Sequence, residues 1–324
     1  MAKTSFIIPT YNRKDLTVLT IDSILKSTKG LDIEVIIVDD GSTDGTGEWV
    51  NEIFKDKKVT VFFQENSGAP TAINNGIKKS TGEFIVIIGS DDLIEANFLE
   101  PRLNAILKDN AVIGAYGPFD HFASEFEFDE KHVVPRHTTY PIEAANYDKI
   151  LKRLLGGWYL PSPTILWKRS VFEKVGYMEP NLPVNQDVEF MFRVLKHRFP
   201  LVGVEGGRTL IRDHSGARVG SINSDERKVL TILELRRQFL SELKSVGLWE
   251  DEHNIILGRF LFDCWISYGR EFPILGEEFL KFSNRLYPNI NVRGGRLFEI
   301  AGKVLGPRGA IQLKALLQEG RRLF

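Results

Sequence analysis

Short apolar runs bounded by turn-forming residues alternate with helix-spaced segments along the first two hundred or so residues. Thr4-Ser5-Phe6-Ile7-Ile8 stops at Pro9-Thr10-Tyr11-Asn12, and Val35-Ile36-Ile37-Val38 stops at Asp39-Asp40-Gly41-Ser42. Val59 to Phe63 repeats the pattern, as does Phe84 to Ile88, which runs straight into Gly89-Ser90-Asp91-Asp92. Continuous apolar runs of this kind predict strands covered on both faces, as in a parallel sheet. Between the first two runs, Val18, Ile21 and Leu25 form a helical stripe that Gly30 ends, with Asn12 and Asp15 spaced as an N-cap pair. Further helices are predicted from about Asp44 to Phe54 and from Thr71 to Lys79. This strand–helix rhythm predicts an α/β fold: a Rossmann-like, mainly parallel sheet with right-handed crossovers, flanked by helices.

Beyond this core the pattern predicts a helix near Phe98 to Leu107 and a strand near Val112 to Tyr116. Residues 118–141 then mix four phenylalanines with acids and with His121, His132 and His137, and read as an excursion over the active face or a hairpin. A helix from Glu143 to Leu155, a strand from Thr164 to Trp167 and a helix from Ser170 to Val175 follow. Another helix starts at Asn185-Gln186-Asp187, and two short strands cover Leu201 to Val204 and Arg208 to Arg212. From Ser224 the chain reads as helical, with Val229, Leu233, Leu240 and Leu243 on one stripe and Phe260, Trp265 and Ile266 on the next helix. The expected organisation is therefore a sheet domain over 1–220 and a helical accessory region over 221–324.

Composition narrows the classes. A net charge of −1 gives no electrostatic case for nucleic acid. The one cysteine, Cys264, excludes an internal disulfide framework and sits in an apolar run that reads as core. No signal-peptide layout and no apolar stretch of membrane-spanning length is present, which sets a cytoplasmic expectation. The last thirty or so residues are basic and amphipathic, with Arg293, Arg296, Lys303, Arg308, Lys314, Arg321 and Arg322. They suit either a peripheral seat on the inner face of an anionic membrane or a homo-oligomer contact, and both readings stay open.

The chemistry is expected where polar residues close several neighbouring strands, because ligands of open α/β sheets gather outside the carboxyl ends of the strands. Thr10/Asn12, Asp39/Asp40, Asn66 and Asp91/Asp92 all stand at such ends. Adjacent carboxylates offer hard oxygen ligands for Mg²⁺ or Mn²⁺, although an Asp-Asp pair can also be a plain solvated turn. The absence of G-x-G-x-x-G after the first strand disfavours an ordinary dinucleotide-binding fold.

Several ordered motifs together resemble the family 2 glycosyltransferases, which use nucleotide sugars on a GT-A fold. They are Ser5-Phe6-Ile7-Ile8-Pro9-Thr10-Tyr11-Asn12-Arg13, Asp39-Asp40-Gly41-Ser42-Thr43-Asp44, Asn66-x-Gly68 with Ala72-x-Asn74-x-Gly76, Ser90-Asp91-Asp92, and Gln186-Asp187. The resemblance covers residues 3–215. It implies that Pro9, Tyr11 and Asn12 line the base and ribose pocket, with Asn66 and Asn74 in the nucleotide-sugar motifs. It implies that Asp39 accepts a hydrogen bond from the base N–H, favouring UDP. It further implies a divalent metal, Mn²⁺ or Mg²⁺, on Asp92 and Asp91 with His214 approaching from the C-terminal side, and Asp187 as the catalytic base of an inverting reaction. The implied partners are a nucleotide-sugar donor and a glycan, lipid-linked or protein acceptor, with a hexosyl or N-acetylhexosaminyl group transferred in surface polysaccharide or glycoconjugate synthesis. The chain departs from the family at Gly89, where an Asp is common, and at Gln186, where Glu is more usual. Competing readings are a sugar nucleotidyltransferase, whose Gly-rich, Arg-containing loop is missing, and a non-catalytic nucleotide- or glycan-binding module.

Overall fold

Strand β1 (Thr4–Thr10) is the axis of the sheet, hydrogen-bonded in parallel to β2 (Ile33–Asp39) on one side and β4 (Phe84–Ile87) on the other. The computed structural model describes residues 2–55, 57–122, 133–134, 147–213, 225–288 and 309. The sheet continues through β3 (Val59–Phe63) at one edge, and through β9 (Ile165–Lys168), β6 (Gly114–Tyr116) and β10 (Leu201–Gly203) at the other. Its order is β10-β6-β9-β4-β1-β2-β3, and among the described residues only β9 runs antiparallel to its neighbours. A second, four-stranded sheet has the order β5-β11-β7-β8, from β5 (Leu93–Ile94), β7 (Phe119–Phe122), β8 (Val133–Val134) and β11 (Thr209–Arg212).

Helices cover both faces. Alternate strand residues Phe6, Ile8, Val35, Ile37, Phe84 and Val86 pack with Ile21 and Ile24 of α1 (Lys14–Ser27). Val50 and Phe54 of α2 (Thr46–Phe54) and Leu99 and Ile106 of α4 (Leu99–Lys108) join the same cluster. Each such side chain, fully buried, contributes about 1.5–3 kcal/mol. The opposite face carries Ile7, Ile36 and Val38 against α3 (Ala69–Lys79). There Gly76 lets the helix settle onto the sheet, since a Cβ at that position would lie 2.5 Å from Ile7 Cγ2.

Three more helices complete the first of two compact units, Met1–Leu235: α5 (Tyr147–Leu155), α6 (Ser170–Val175) and α7 (Gln186–Lys196). The division from the second unit, Arg236–Phe324, falls inside α8 (Glu226–Ser245). In the second unit α9 (Asp251–Tyr268) and α10 (Pro273–Leu286) pair antiparallel, with Ser283 Oγ donating to the Gly258 carbonyl at 2.7 Å. A capping box starts α9: the His253 ring accepts from the Glu250 N–H at 3.0 Å. The buried side chains of α9 include Leu257, Leu261, Phe262 and Cys264, while Ile266 is exposed. Burial pushes the Cys264 thiol up to about 12, so it is inert packing. No described helix is long and apolar enough to cross a membrane.

Candidate active site

Strand register brings the predicted loops together. Thr10 stands opposite Asp39, and Ile7 opposite Ile87, so the loops after β1, β2 and β4 leave the sheet side by side. They enclose a cleft of about 660 Å³ lined by Pro9, Tyr11, Arg13, Asp40, Asn66, Gly68, Ser90, Asp91, Asp92 and Arg212, among others. Tyr11 is 46% exposed, its ring at the mouth.

Asn12 does not cap α1, as its spacing to Asp15 suggests. The helix starts at Lys14 with Arg13 in the capping position and no side-chain cap. Asn12 instead takes a left-handed backbone (φ 50), accepts from the Thr43 N–H at 2.8 Å and donates its own N–H to Ser42 Oγ at 2.9 Å. It staples the β1 and β2 loops together. Asp39 accepts from the Ser42 N–H at 2.7 Å, and Asp40 lines the cleft. The Asp40 carboxylate accepts from Gln64 Nε2 and from the backbone N–H groups of Ser67 and Gly68, which fixes the loop leading into α3. The Asn74 amide pairs both ways with the Met178 backbone, at 2.8 and 2.9 Å, and it is not among the cleft-lining residues.

Asp91 and Asp92 turn one oxygen each toward Gly89. A Cβ at residue 89 would stand 2.8 Å from Asp91 Oδ1 and 2.9 Å from Asp92 Oδ2. The glycine that departs from the family pattern is therefore the space in which the two carboxylates converge. Their other oxygens are held: Asp91 Oδ2 by the Arg13 guanidinium, Asp92 Oδ1 by the Arg212 N–H at 3.1 Å. The Arg212 Nε adds a bond to the Asp91 carbonyl at 2.9 Å, with its guanidinium over the Phe122 ring. Burial, then the neighbouring Asp91 charge, push Asp92 up to about 8. Burial also lowers Arg212 against the pull of both carboxylates. Two hard, crowded carboxylates that converge over Gly89 are a donor set that fits a divalent cation.

Asp187 sits in the first turn of α7. Its carboxylate accepts from Ser162 Oγ at 2.7 Å and from the Ser162 N–H at 3.4 Å. Burial raises its pKa, against the pull of those Ser162 bonds. Ser162 opens a 3-10 turn immediately before β9. Because β9 is antiparallel to β4, that turn lies at the carboxyl end of β4, the edge from which Asp91 and Asp92 emerge. The Pro163 carbonyl is tied to Thr209 of β11 at 3.1 Å, which anchors the turn. His214, the expected third metal ligand, lies outside the described residues, as do His132 and His137. His121 Nδ1 is 3.1 Å from Asp213 Oδ1.

Arg13, Asp40, Ser162 and Arg212 are site residues to which the motifs assign no role. Arg13 and Asp40 stand inside quoted motifs; Ser162 and Arg212 act by contacts 25 and 120 or more positions away in the chain.

The pattern of the family described as Glycosyl transferase family 2 matches residues 5–176, over half of the 324 residues. Among curated relatives, the glycosyltransferase GlyG of Streptococcus pneumoniae is 34% identical over 183 residues, 53% of this chain and 59% of that protein. An uncharacterized glycosyltransferase of Rickettsia felis is 31% identical over 199 residues, 59% of this chain and 31% of that protein. The chain thus spans less than two thirds of the length of either. A crystal structure of S. aureus TarS in complex with UDP-GlcNAc superposes with a TM-score of 0.69 over 99% of this chain and 92% of that one, at 15% identity. The same protein with UDP gives 0.63 over 89% and 81%, at 19% identity. At such identity the likeness is one of fold, and it marks this sheet with its flanking and C-terminal helices as GT-A type. The matched span takes in β1 through α6, with the Asp39/Asp40 and Asp91/Asp92 loops among them, and on that ground the chain belongs to glycosyl transferase family 2.

Proposed function

We propose that the protein is an inverting glycosyltransferase that moves a sugar from a UDP-sugar to a hydroxyl of a glycan, lipid-linked or protein acceptor. The observation that carries this reading is the sharing of one sheet edge by the Asp91/Asp92 cleft and the Ser162-held carboxylate of Asp187. The nucleotide end falls to the β1 and β2 loops, with Pro9, Tyr11 and Asn66 framing the pocket and Asp39 answering the base N–H. Asp91 and Asp92 would hold the divalent cation, which supplies Lewis-acid stabilisation of the departing diphosphate.

Asp187 removes the acceptor proton. A carboxylate raised by burial is a better base than a solvated one, and the Ser162 pair fixes its orientation while leaving lone pairs for the acceptor hydroxyl. One base on the face opposite the leaving group, without a covalent intermediate, gives single displacement, and hence inversion. Tyr159, 45% exposed and three residues before Ser162, offers an aromatic face to an acceptor ring.

The test is a panel of nucleotide sugars with Mn²⁺, read as release of nucleoside diphosphate and as the anomeric proton signals of the product. Metal-dependent turnover of a UDP-sugar with inverted configuration is expected. Retained configuration, or UDP that fails to bind by calorimetry, overturns the reading.

A further inference from the structure

Two connections lead from the seven-stranded sheet into the four-stranded one: residues 117–118 join β6 to β7, and residues 204–208 join β10 to β11. Arg102 of α4 touches both. It is fully buried, its guanidinium lies over the Phe98 ring at 3.9 Å, and among the described residues no carboxylate pairs with it. Its Nε donates to the Thr164 carbonyl at 3.0 Å, and its Nη1 to the carbonyls of Phe98 and Gly207 at 2.6 and 3.1 Å. Its Nη2 has no hydrogen-bond partner among the described residues and lies over Gly117, where a Cβ would overlap it. Burial pushes the guanidinium down to about 9, which leaves it charged at neutral pH. Burying a charge without an opposite charge is costly, and an apolar side chain in such a place is often as good for stability or better. What a guanidinium adds is a rigid planar fork that fixes several acceptors at once.

The three acceptors stand on the three segments that carry the site. Phe98 is on the stretch that runs from Asp91 and Asp92 through β5 into α4. Gly207 is in the turn before β11, whose Arg212 N–H donates to Asp92. Thr164 ends the 3-10 turn whose Ser162 holds Asp187. We infer that Arg102 is a positioning residue that sets the separation between Asp187 and the Asp91/Asp92 pair, by holding the carbonyls of Phe98, Gly207 and Thr164 on one fork. The Thr164 carbonyl also accepts from the Gly117 N–H at 3.2 Å, and the Pro163 carbonyl from Thr209 Oγ1 at 3.1 Å. The turn and the second sheet therefore stay attached without Arg102, and what its loss releases is their spacing. Spacing matters to rate, since a misplacement of about 1 Å can cost about 10².

This inference rests on the reading of Asp187 as the base and of Asp91 and Asp92 as the cation site, and the experiment separates the two. A spin label on Tyr159→Cys, close in the chain to the Ser162 turn, is read against Mn²⁺ bound with UDP by pulsed electron paramagnetic resonance. The full chain is compared with Arg102→Met and Arg102→Lys, and the buried Cys264 stays unlabelled. The same three proteins without the label give turnover, UDP affinity and melting temperature. Arg102→Met should hold its melting temperature and keep UDP affinity within about twofold, yet lose turnover by about tenfold or more and widen the label-to-metal distance distribution. Arg102→Lys keeps the charge but not the fork, and should fall between the two; if Arg102→Met fails to fold, Arg102→Lys carries the test. A folded variant with parental turnover and a parental distance distribution overturns the role of Arg102 and leaves the site standing. Turnover, UDP affinity and melting temperature falling together make Arg102 structural only, which overturns it as well. A parent that neither binds Mn²⁺ with UDP nor turns over a UDP-sugar overturns the proposed function and this inference with it.

Discussion

The two ends of the central strands each bury a carboxylate next to a cation, with opposite results. At the amino ends, Glu34 accepts from Lys3 Nζ and Ser5 Oγ, both at 2.7 Å, and from the Thr81 N–H at 2.6 Å. Burial pushes its pKa up, but those bonds overcome it and hold Glu34 down at about 2. At the carboxyl ends, Asp92 has one backbone donor, a second carboxylate beside it and a pKa near 8. The same strands thus carry a satisfied charge at one end and a crowded pair at the other. Stability is concentrated where every lone pair has a protein donor. Binding capacity is concentrated where the protein leaves charge to be answered by a ligand.

The strongest way to sharpen that contrast is to remove chemistry without touching stability. Asp187→Asn keeps an oxygen to accept from Ser162 Oγ but cannot take a proton. Turnover should fall by about 10²–10⁴ while UDP affinity and melting temperature stay near the parent values. Steady-state kinetics with calorimetry checks this, and a variant with full turnover would remove Asp187 from the mechanism.

Next in size is a change at the nucleotide end. Asp39→Asn retains an acceptor for the Ser42 N–H yet loses the charge meant for the base, worth roughly 1.5–3 kcal/mol, so UDP affinity should drop at least about tenfold. Asp40→Asn is the control, since it weakens the clamp on Ser67 and Gly68 and should show mainly as a lower melting temperature. If Asp40→Asn loses UDP and Asp39→Asn does not, the base contact belongs to Asp40.

The smallest effect belongs to the opposite end. Because Glu34 is depressed when folded, its contribution is fully present above its ordinary value near 4.5 and is lost as pH falls from there toward about 2. Glu34→Gln should cost about 1–2 kcal/mol at neutral pH and flatten the decline in melting temperature across that window, with activity at pH 7 nearly unchanged. A Glu34→Gln melting curve parallel to the parent's from pH 5 to 2 would show that the network carries no pH-linked stability.

Much of the sheet was legible because its strands are buried on both faces, which leaves an unmistakable apolar run. Val59 to Phe63 and Ser170 to Val175 match the observed elements end to end. The second sheet was not legible as a sheet. β5 has two residues and β7 alternates weakly, so both exist by pairing with β11 rather than by local preference.

By itself the sequence determined the α/β class, the strand ends that carry polar groups and the family resemblance, because buried strands and turn residues are local signals. Only the tertiary structure decided which of those polar groups meet. It bonded Asp39 to the Ser42 N–H and set Asp40 in the cleft, paired Asn74 with Met178, set Ser162 against Asp187 and brought Arg13 and Arg212 onto one carboxylate pair. These partners lie from 3 to 121 positions apart in the chain. Strand register and crossover geometry choose among such pairings, and no local pattern encodes that choice.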